Sequence, residues 1–301
     1  MTNNEWGNLK EIIVGTATNA RLPSRCSVFR KLQEETSWKE TPLPSGAFPA
    51  TVIDEANEDL EIFSNTLKSL GITVHRPTDL DFESFDGMYN YCPRDRVLVV
   101  GDTVIDAPML YPTRQKEIQA IDSFLSKNII RCRDRDVKFD AANICRLGKD
   151  LLYLVSSSGN QQGAEWLRSV LPEHNVHVLN NIYSGVHIDS TISPVREGLV
   201  VLNADRINQD NVPEPLKDWD KIWIGGDDIA KQEFIGYPYA SNYIGLNFLT
   251  VNPNLVICDP KQIYLRKQLK KWGVETIGVE LRHSRTLGGG HHCVTLDTVR
   301  E

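Results

Sequence analysis

Near the C-terminus the chain reads LRHSRTLGGGHHCVTLD over residues 281–297, so three glycines run into His291, His292 and Cys293. Cysteine with histidine is the pair that covalent catalysis uses: a thiolate attacks an electrophilic carbon while an imidazole moves protons. Other chemistries compete for these residues. Zinc ligands are usually separated by about two to five residues, which argues against three adjacent ones sharing a metal. A phosphate loop would end in Lys-Ser/Thr and open a helix, and GGGHH does neither. A glycine-rich turn holding a core cysteine remains open on the motif alone.

Polar residues recur ahead of apolar runs elsewhere in the chain: Asp95 in CPRD, Asp140 in KFDAAN, His187 and Asp189 in VHIDST, and Asn247 in IGLN. From Asp95 through Asp140, Asp189 and Asn247 to Cys293, the residue numbers differ by 45, 49, 58 and 46. Equivalent positions of a ring of repeats converge on its axis, which would bring three carboxylates, a histidine and a cysteine together. Carboxylates repel a thiolate unless the substrate brings positive charge, and they accept the planar N–H fork of a guanidinium. The substrate implied is a cation with an electrophilic central carbon. A guanidinium meets both demands, and its charge would lower the thiol's pKa as it arrives.

The elements that must position these residues follow a pattern. Short Val/Ile/Leu runs at 12–14, 97–100, 151–155, 199–202 and 255–258 suit buried strands. Helical spacing follows four of them, over 54–70, 113–127, 162–171 and 260–272, with new β-like runs after each. KIWIG at 221 takes the last place in the unit without a helix. About five copies of strand, strand, helix, strand result, at a period near 50 residues. Such a period suits radial repetition, and an ordinary α/β sandwich remains the alternative.

The 301 residues hold no Pro/Gly/Ser-rich linker, so a single domain over 1–301 is expected, with surface connections at 36–49 and 203–218. A formal charge of −7 with no basic cluster argues against nucleic acid. No apolar run nears the roughly 20 residues that span a bilayer, which argues against a membrane partner. MTNNEWGNLKEIIVG is not a signal peptide, and six cysteines without a CxxC pair read as reduced thiols, so a cytoplasmic setting is expected.

The segments NEWGNLKEIIVG, MYNYCPRDRVLVVGDTVIDAPM, KFDAANICRLGKDLL, VHIDSTISPVREGLVVLNADR and RHSRTLGGGHHCVTLD together resemble the amidinotransferases, in family order over essentially the whole chain. The resemblance implies a pentein-like, five-bladed α/β propeller. It makes Cys293 the nucleophile, His187 the general acid/base, and Asp140 the acid that engages both the histidine and the guanidino group. It places Asp95 and Asp189 around the donor's guanidinium, Arg206 on its α-carboxylate, and Ser241 among the substrate contacts.

The implied reaction is ping-pong amidino transfer from L-arginine to a small amine, through an amidino-cysteine, with release of ornithine. No cofactor and no metal are implied, and pairing of two copies, common in that family, makes a homodimer a candidate assembly. The chain departs from the family at Asn143, where Asp is frequent, and at His291, where an aromatic residue is frequent. The segment NIYSGV before His187 lacks the Asn and Met found near that place in glycine amidinotransferase, which points away from glycine as acceptor. Hydrolysis of the same intermediate, as in arginine deiminase and dimethylargininase, is the competing reaction, and a non-catalytic arginine-binding propeller a third reading. On the sequence, His187 rather than His292 is the partner of Cys293, and His291 is expected to tolerate change.

Overall fold

The computed structural model describes residues 2–34, 44–125 and 128–301. Its strands form five three-stranded sheets of one plan, an antiparallel pair followed by a parallel third strand. The second sheet pairs Val97–Val100 with Thr103–Asp106 and adds Ile129–Arg131. The third pairs Ile144–Leu147 with Asp150–Leu154 and adds Asn175–Leu179. The fourth pairs Ile192–Arg196 with Leu199–Asn203 and adds Asp220–Ile224, the KIWI run. The fifth pairs Leu249–Asn252 with Leu255–Cys258 and adds Glu275–Gly278. The first sheet is assembled from both ends of the chain: Thr295–Arg300 lies antiparallel to Leu9–Val14, with Leu296 opposite Ile13, and Thr73–His75 runs parallel on the other side.

The continuous apolar character of these strands follows from burial on both faces. Val97 and Val99 pack with Ile13 and Leu296 of the first sheet, whereas Leu98 and Val100 face Ile144 and Tyr153 of the third. Sheets three and four share Leu152 and Val200, and sheets four and five share Val201 and Val256. Val14 and Leu60 meet Leu249 and Ile257, so the fifth sheet packs back on the first. Five apolar clusters thus join successive sheets in a closed cycle.

Helices cross between strands where apolar spacing allows. Ala50–Ser69 buries Val52, Ala56, Leu60, Phe63 and Leu67, one stripe at helical spacing, and follows Pro49. Gln161–Val170 is capped by Asn160, whose side chain accepts the Gly163 N–H, and Ile263–Lys271 buries Leu265 and Leu269. The helix expected over 113–127 is not formed. Three 3₁₀ turns (Pro112–Arg114, Glu117–Ala120, Asp122–Phe124) take its place, and residues 126–127 lie outside the described residues. Buried contacts hold these turns: Arg114 grips Glu117 at 2.9–3.0 Å and Asp95 at 2.9 Å, while Ile118 and Ile121 enter the core between sheets one and two. Ion pairing with a residue outside the segment fixes Arg114 and overrides helix propensity. Of the loop expected at 36–49, residues 36–43 lie outside the described residues; beyond them Gly46–Ala47 pairs with Arg21–Leu22.

Candidate active site

One residue stands two to four residues before the start of one strand of each antiparallel pair: Asp95, Asp140, Asp189, Asn247 and Cys293, for sheets two, three, four, five and one. The cycle of sheets brings them together. The Cys293 thiol donates to Asp189 Oδ2 at 3.2 Å and accepts from Asn247 Nδ2 at 3.2 Å. His187 Nε2 lies 3.0 Å from Asp140 Oδ2 and Nδ1 lies 3.5 Å from Asp95 Oδ1, and the imidazole and the thiol influence each other electrostatically.

The turn that carries Cys293 has local causes. Gly288 ends the short helix Ser284–Leu287 at φ 81°, in the left-handed region that glycine enters without penalty. At Gly290 any Cβ would press on Asn247, within 2.8 Å of its Oδ1. That close approach lets Asn247 Oδ1 accept the backbone N–H groups of His292 and Cys293, both at 3.0 Å. The carboxylates are held in similar ways. Asp95 sits on the helical turn Pro93–Arg96 and is bonded by Arg114 Nη1. The Asp140 N–H donates to Asn143 Oδ1 (3.2 Å), whose Nδ2 donates to the Leu154 carbonyl (2.9 Å). The departure at Asn143 is therefore a scaffold for Asp140.

The electrostatics separate the groups. Burial opposes charge on His187, but the charge of Asp95 and the hydrogen bonds to Asp140 and Cys293 outweigh it and hold the imidazole well above its ordinary value. The Cys293 thiol is pushed well up by its contact with Cys92, by burial and by the charge of Asp189. At neutral pH Cys293 is therefore a thiol. Asp189 is held down at about 2, because the bond and charge of His292, with His187 and Cys293, overcome its burial. Among the described residues, two buried carboxylate oxygens, Asp95 Oδ1 and Asp140 Oδ1, have no hydrogen-bond donor, an unusual state for buried acceptors.

Arg206 lies over the Tyr183 ring at 3.6 Å and the Tyr243 ring at 4.7 Å, and is bonded by Ser190 and Thr191 (2.7 Å to Thr191 Oγ1). Ser190 and Thr191, which Arg206 bonds, directly follow Asp189 in the chain. Ser241 opens the 3₁₀ turn Asn242–Leu246 that leads to Asn247; its hydroxyl makes no hydrogen bond with the cluster among the described residues.

Three residues escaped the sequence reading of the site. Asn247 occupied a repeat-equivalent position, the signal that could have promoted it. His292 bonds Asp189 Oδ2 through Nδ1 (2.9 Å) and Glu5 Oε2 through Nε2 (3.2 Å). Cys92, beside Asp95 in sequence, lies against Cys293 across the Gly289 backbone. His291 takes no part: its Nε2 meets the Val279 carbonyl at 2.7 Å, its ring packs edge-on against Phe63, and burial depresses it to about 4. Its tolerance to change is limited by that buried bond. Among the described residues no group of three or more His, Cys, Asp and Glu side chains is arranged to hold a metal ion, no helix is long and apolar enough to cross a membrane, and all six cysteines are free thiols.

The chain that carries this arrangement is similar to known proteins. No family model matches the chain. It is 40% identical to inosamine-phosphate amidinotransferase 1 of Streptomyces glaucescens, over 99% of this chain and 95% of that protein. It is 29% identical to the mitochondrial glycine amidinotransferase of Xenopus tropicalis, over 99% and 82%. The solved inosamine-phosphate amidinotransferase of Streptomyces griseus superposes with a TM-score of 0.92 at 37% identity, over 99% and 96% of the two chains. The dimethylarginine dimethylaminohydrolase of Pseudomonas aeruginosa (TM-score 0.65, 17% identity, 96% and 99% covered) shares the fold. The chain belongs to the amidinotransferases.

Proposed function

We propose that this amidinotransferase moves the amidino group of L-arginine to a small primary amine through a covalent adduct on Cys293, releasing ornithine. The reading is carried by the meeting of Cys293 and His187 amid carboxylates, two of whose buried oxygens await donors. A guanidinium supplies planar N–H groups to Asp95 and Asp140, and Arg206 takes the donor's α-carboxylate, with Ser241 at the edge of the same space. The five sheets, over residues 1–301, act as one five-bladed propeller whose axis is the site.

Chemistry follows from the charges. The resting thiol is protonated, so the arriving cation both offers the electrophile and draws the thiol toward thiolate. Sulfur attacks the guanidinium carbon as its proton passes along the bond to Asp189 and out to solvent, from which the thiolate recovers one when the C–S bond later breaks. His187, held protonated, gives its proton to the departing amine of ornithine, leaving amidino-Cys293 and a neutral imidazole. The acceptor amine enters the vacated space, His187 takes its proton as it attacks, and the C–S bond breaks. Asp140 keeps the ring aligned through both half-reactions. No cofactor is called for.

The acceptor is proposed to be an amine of the kind the more similar relatives are named for, an aminated cyclitol phosphate, ahead of glycine. A mass-spectrometric screen of amines with arginine as donor tests this, the product gaining one CN2H2 unit. Rapid citrulline from arginine alone would replace transfer by hydrolysis. The free thiols suit the cytoplasmic setting proposed for it.

A further inference from the structure

A second chain of polar contacts reaches Cys293 from the N-terminal segment. Glu5 is buried where the first strand meets the last, bonded to Arg146 Nε at 2.8 Å and Nη2 at 2.7 Å. Arg146 also binds Asp297 at 2.8 Å, which Arg94 (2.6 Å) and Arg300 share. The remaining bond of Glu5 Oε2 goes to His292 Nε2, and His292 Nδ1 goes to the same Asp189 Oδ2 that accepts the Cys293 thiol. Arg94 fixes the His292 backbone as well, its Nε donating to the carbonyl at 3.0 Å. A cavity beside these groups is lined by Glu5, Asp189 and His292 with Ile144, Ile188 and Phe248.

Donor counting defines the ring. A neutral imidazole has one N–H and one bare nitrogen, and a bare nitrogen facing a carboxylate oxygen at hydrogen-bond distance is repelled. His292 meets a carboxylate at each nitrogen, so both bonds form only if both nitrogens donate. In low-dielectric surroundings such charge-assisted bonds are directional and strong.

We propose that Glu5 and His292 are positioning residues: His292 clamps Asp189 Oδ2 against the Cys293 thiol, and Glu5 holds His292 in the clamping orientation. Asp189 then stays ionised and aimed while guanidinium and amine exchange at the sulfur. The groups facing the clamp are Cys293 and His187 on the substrate side, and Arg94, Arg146 and Asp297 on the other. The kinetic part of this inference rests on the amidino-transfer reading; the clamp itself does not.

The test pairs two substitutions at one position. An Asn side chain places its amide nitrogen near Nδ1 of a histidine, and Gln places it near Nε2. His292→Asn keeps the donor to Asp189 and is expected to recover much of what His292→Gln loses. His292→Gln, like Glu5→Gln, is expected to lower kcat about 10- to 100-fold with a smaller change in arginine KM. In both, the acid limb of the pH profile of kcat/KM moves up as Asp189 loses its cation. Equal losses in the Asn and Gln variants with an unmoved pH profile would mean a merely structural role. The second readout needs no turnover: in folded wild-type protein carrying ¹⁵N-histidine, both His292 nitrogens should resonate as hydrogen-bonded N–H, assigned by their loss in His292→Asn. A singly protonated ring overturns the clamp even if Glu5→Gln does not fold. A doubly protonated ring in a protein that transfers nothing from arginine would uphold the clamp and sink the amidino-transfer reading alone.

Discussion

His187 and His292 are chemically alike in their surroundings, each imidazole lying between two carboxylates: Asp140 and Asp95 for one, Asp189 and Glu5 for the other. They differ in what those carboxylates have left to give. Around His292 both Glu5 oxygens and Asp189 Oδ2 are taken up by Arg146, the thiol and the ring itself. Around His187 one oxygen of each carboxylate has no donor. The first set is a closed scaffold, and the second is open to a ligand. Residue type does not separate the two surroundings; the unspent acceptors beside His187 do.

The largest effect expected is on the open side. Cys293→Ser should abolish amidino transfer and the adduct seen by intact-protein mass spectrometry. His187→Asn should cost about 10²–10⁴ in kcat, the range of a lost general acid/base; a near-normal rate would erase the distinction between the two histidines. The same variant carries a pH signature. The folded pKa of His187 lies above its unfolded value, so its contribution to stability is complete below the unfolded pKa and is lost as pH rises through the folded one. Denaturation midpoints for His187→Asn should therefore change less than wild type across that alkaline window.

On the closed side the effect should fall on stability. Asp297→Ala leaves Arg94, Arg146 and Arg300 without their shared carboxylate, which should cost about 3–5 kcal/mol in denaturant titration. A loss within error would show that Glu5 alone neutralises the arginines. Asn247→Ala lies between the two regions, since Asn247 bonds the thiol and two backbone N–H groups. It should lose about 1–3 kcal/mol of stability together with activity at saturating arginine; stability without activity loss would place it wholly in the scaffold.

The smallest effect on turnover is expected at His291, which touches neither set. It titrates at about 4 when folded against an ordinary value of 6.5, so the unfolded chain binds the extra proton as pH falls between them. That difference removes on the order of 3 kcal/mol by the low end of the window. His291→Phe should keep most activity and make acid unfolding less steep from pH 6.5 to about 4, and an unchanged slope would show that His291 is not the group responsible.

Much of this was legible in the residues. Strands buried on both faces cannot disguise their Val/Ile/Leu runs, and spacing near 50 residues marked Asp95, Asp140, Asp189 and Cys293 as equivalent. Where the reading failed, a distant partner had intervened. The 113–127 stretch has helical spacing, but Arg114 is pinned to Asp95 and Glu117 in the core, and the turn becomes 3₁₀. Pro260 suggested a helix start, whereas the helix begins at Ile263 after a turn in which Asp259 Oδ1 accepts the Lys261 N–H.

The sequence by itself determined which residue types stood ahead of which strands, and hence that a thiol, an imidazole and carboxylates were available at repeat-equivalent positions. Apolar periodicity is local, and so it can be read without the fold. Only the tertiary structure decided that Glu5 reaches His292, that Asn247 holds the turn before Cys293, and which carboxylate oxygens remain without a donor. Those facts depend on pairing the first strand with the last, and a contact between residues 5 and 292 leaves no trace in the spacing of either.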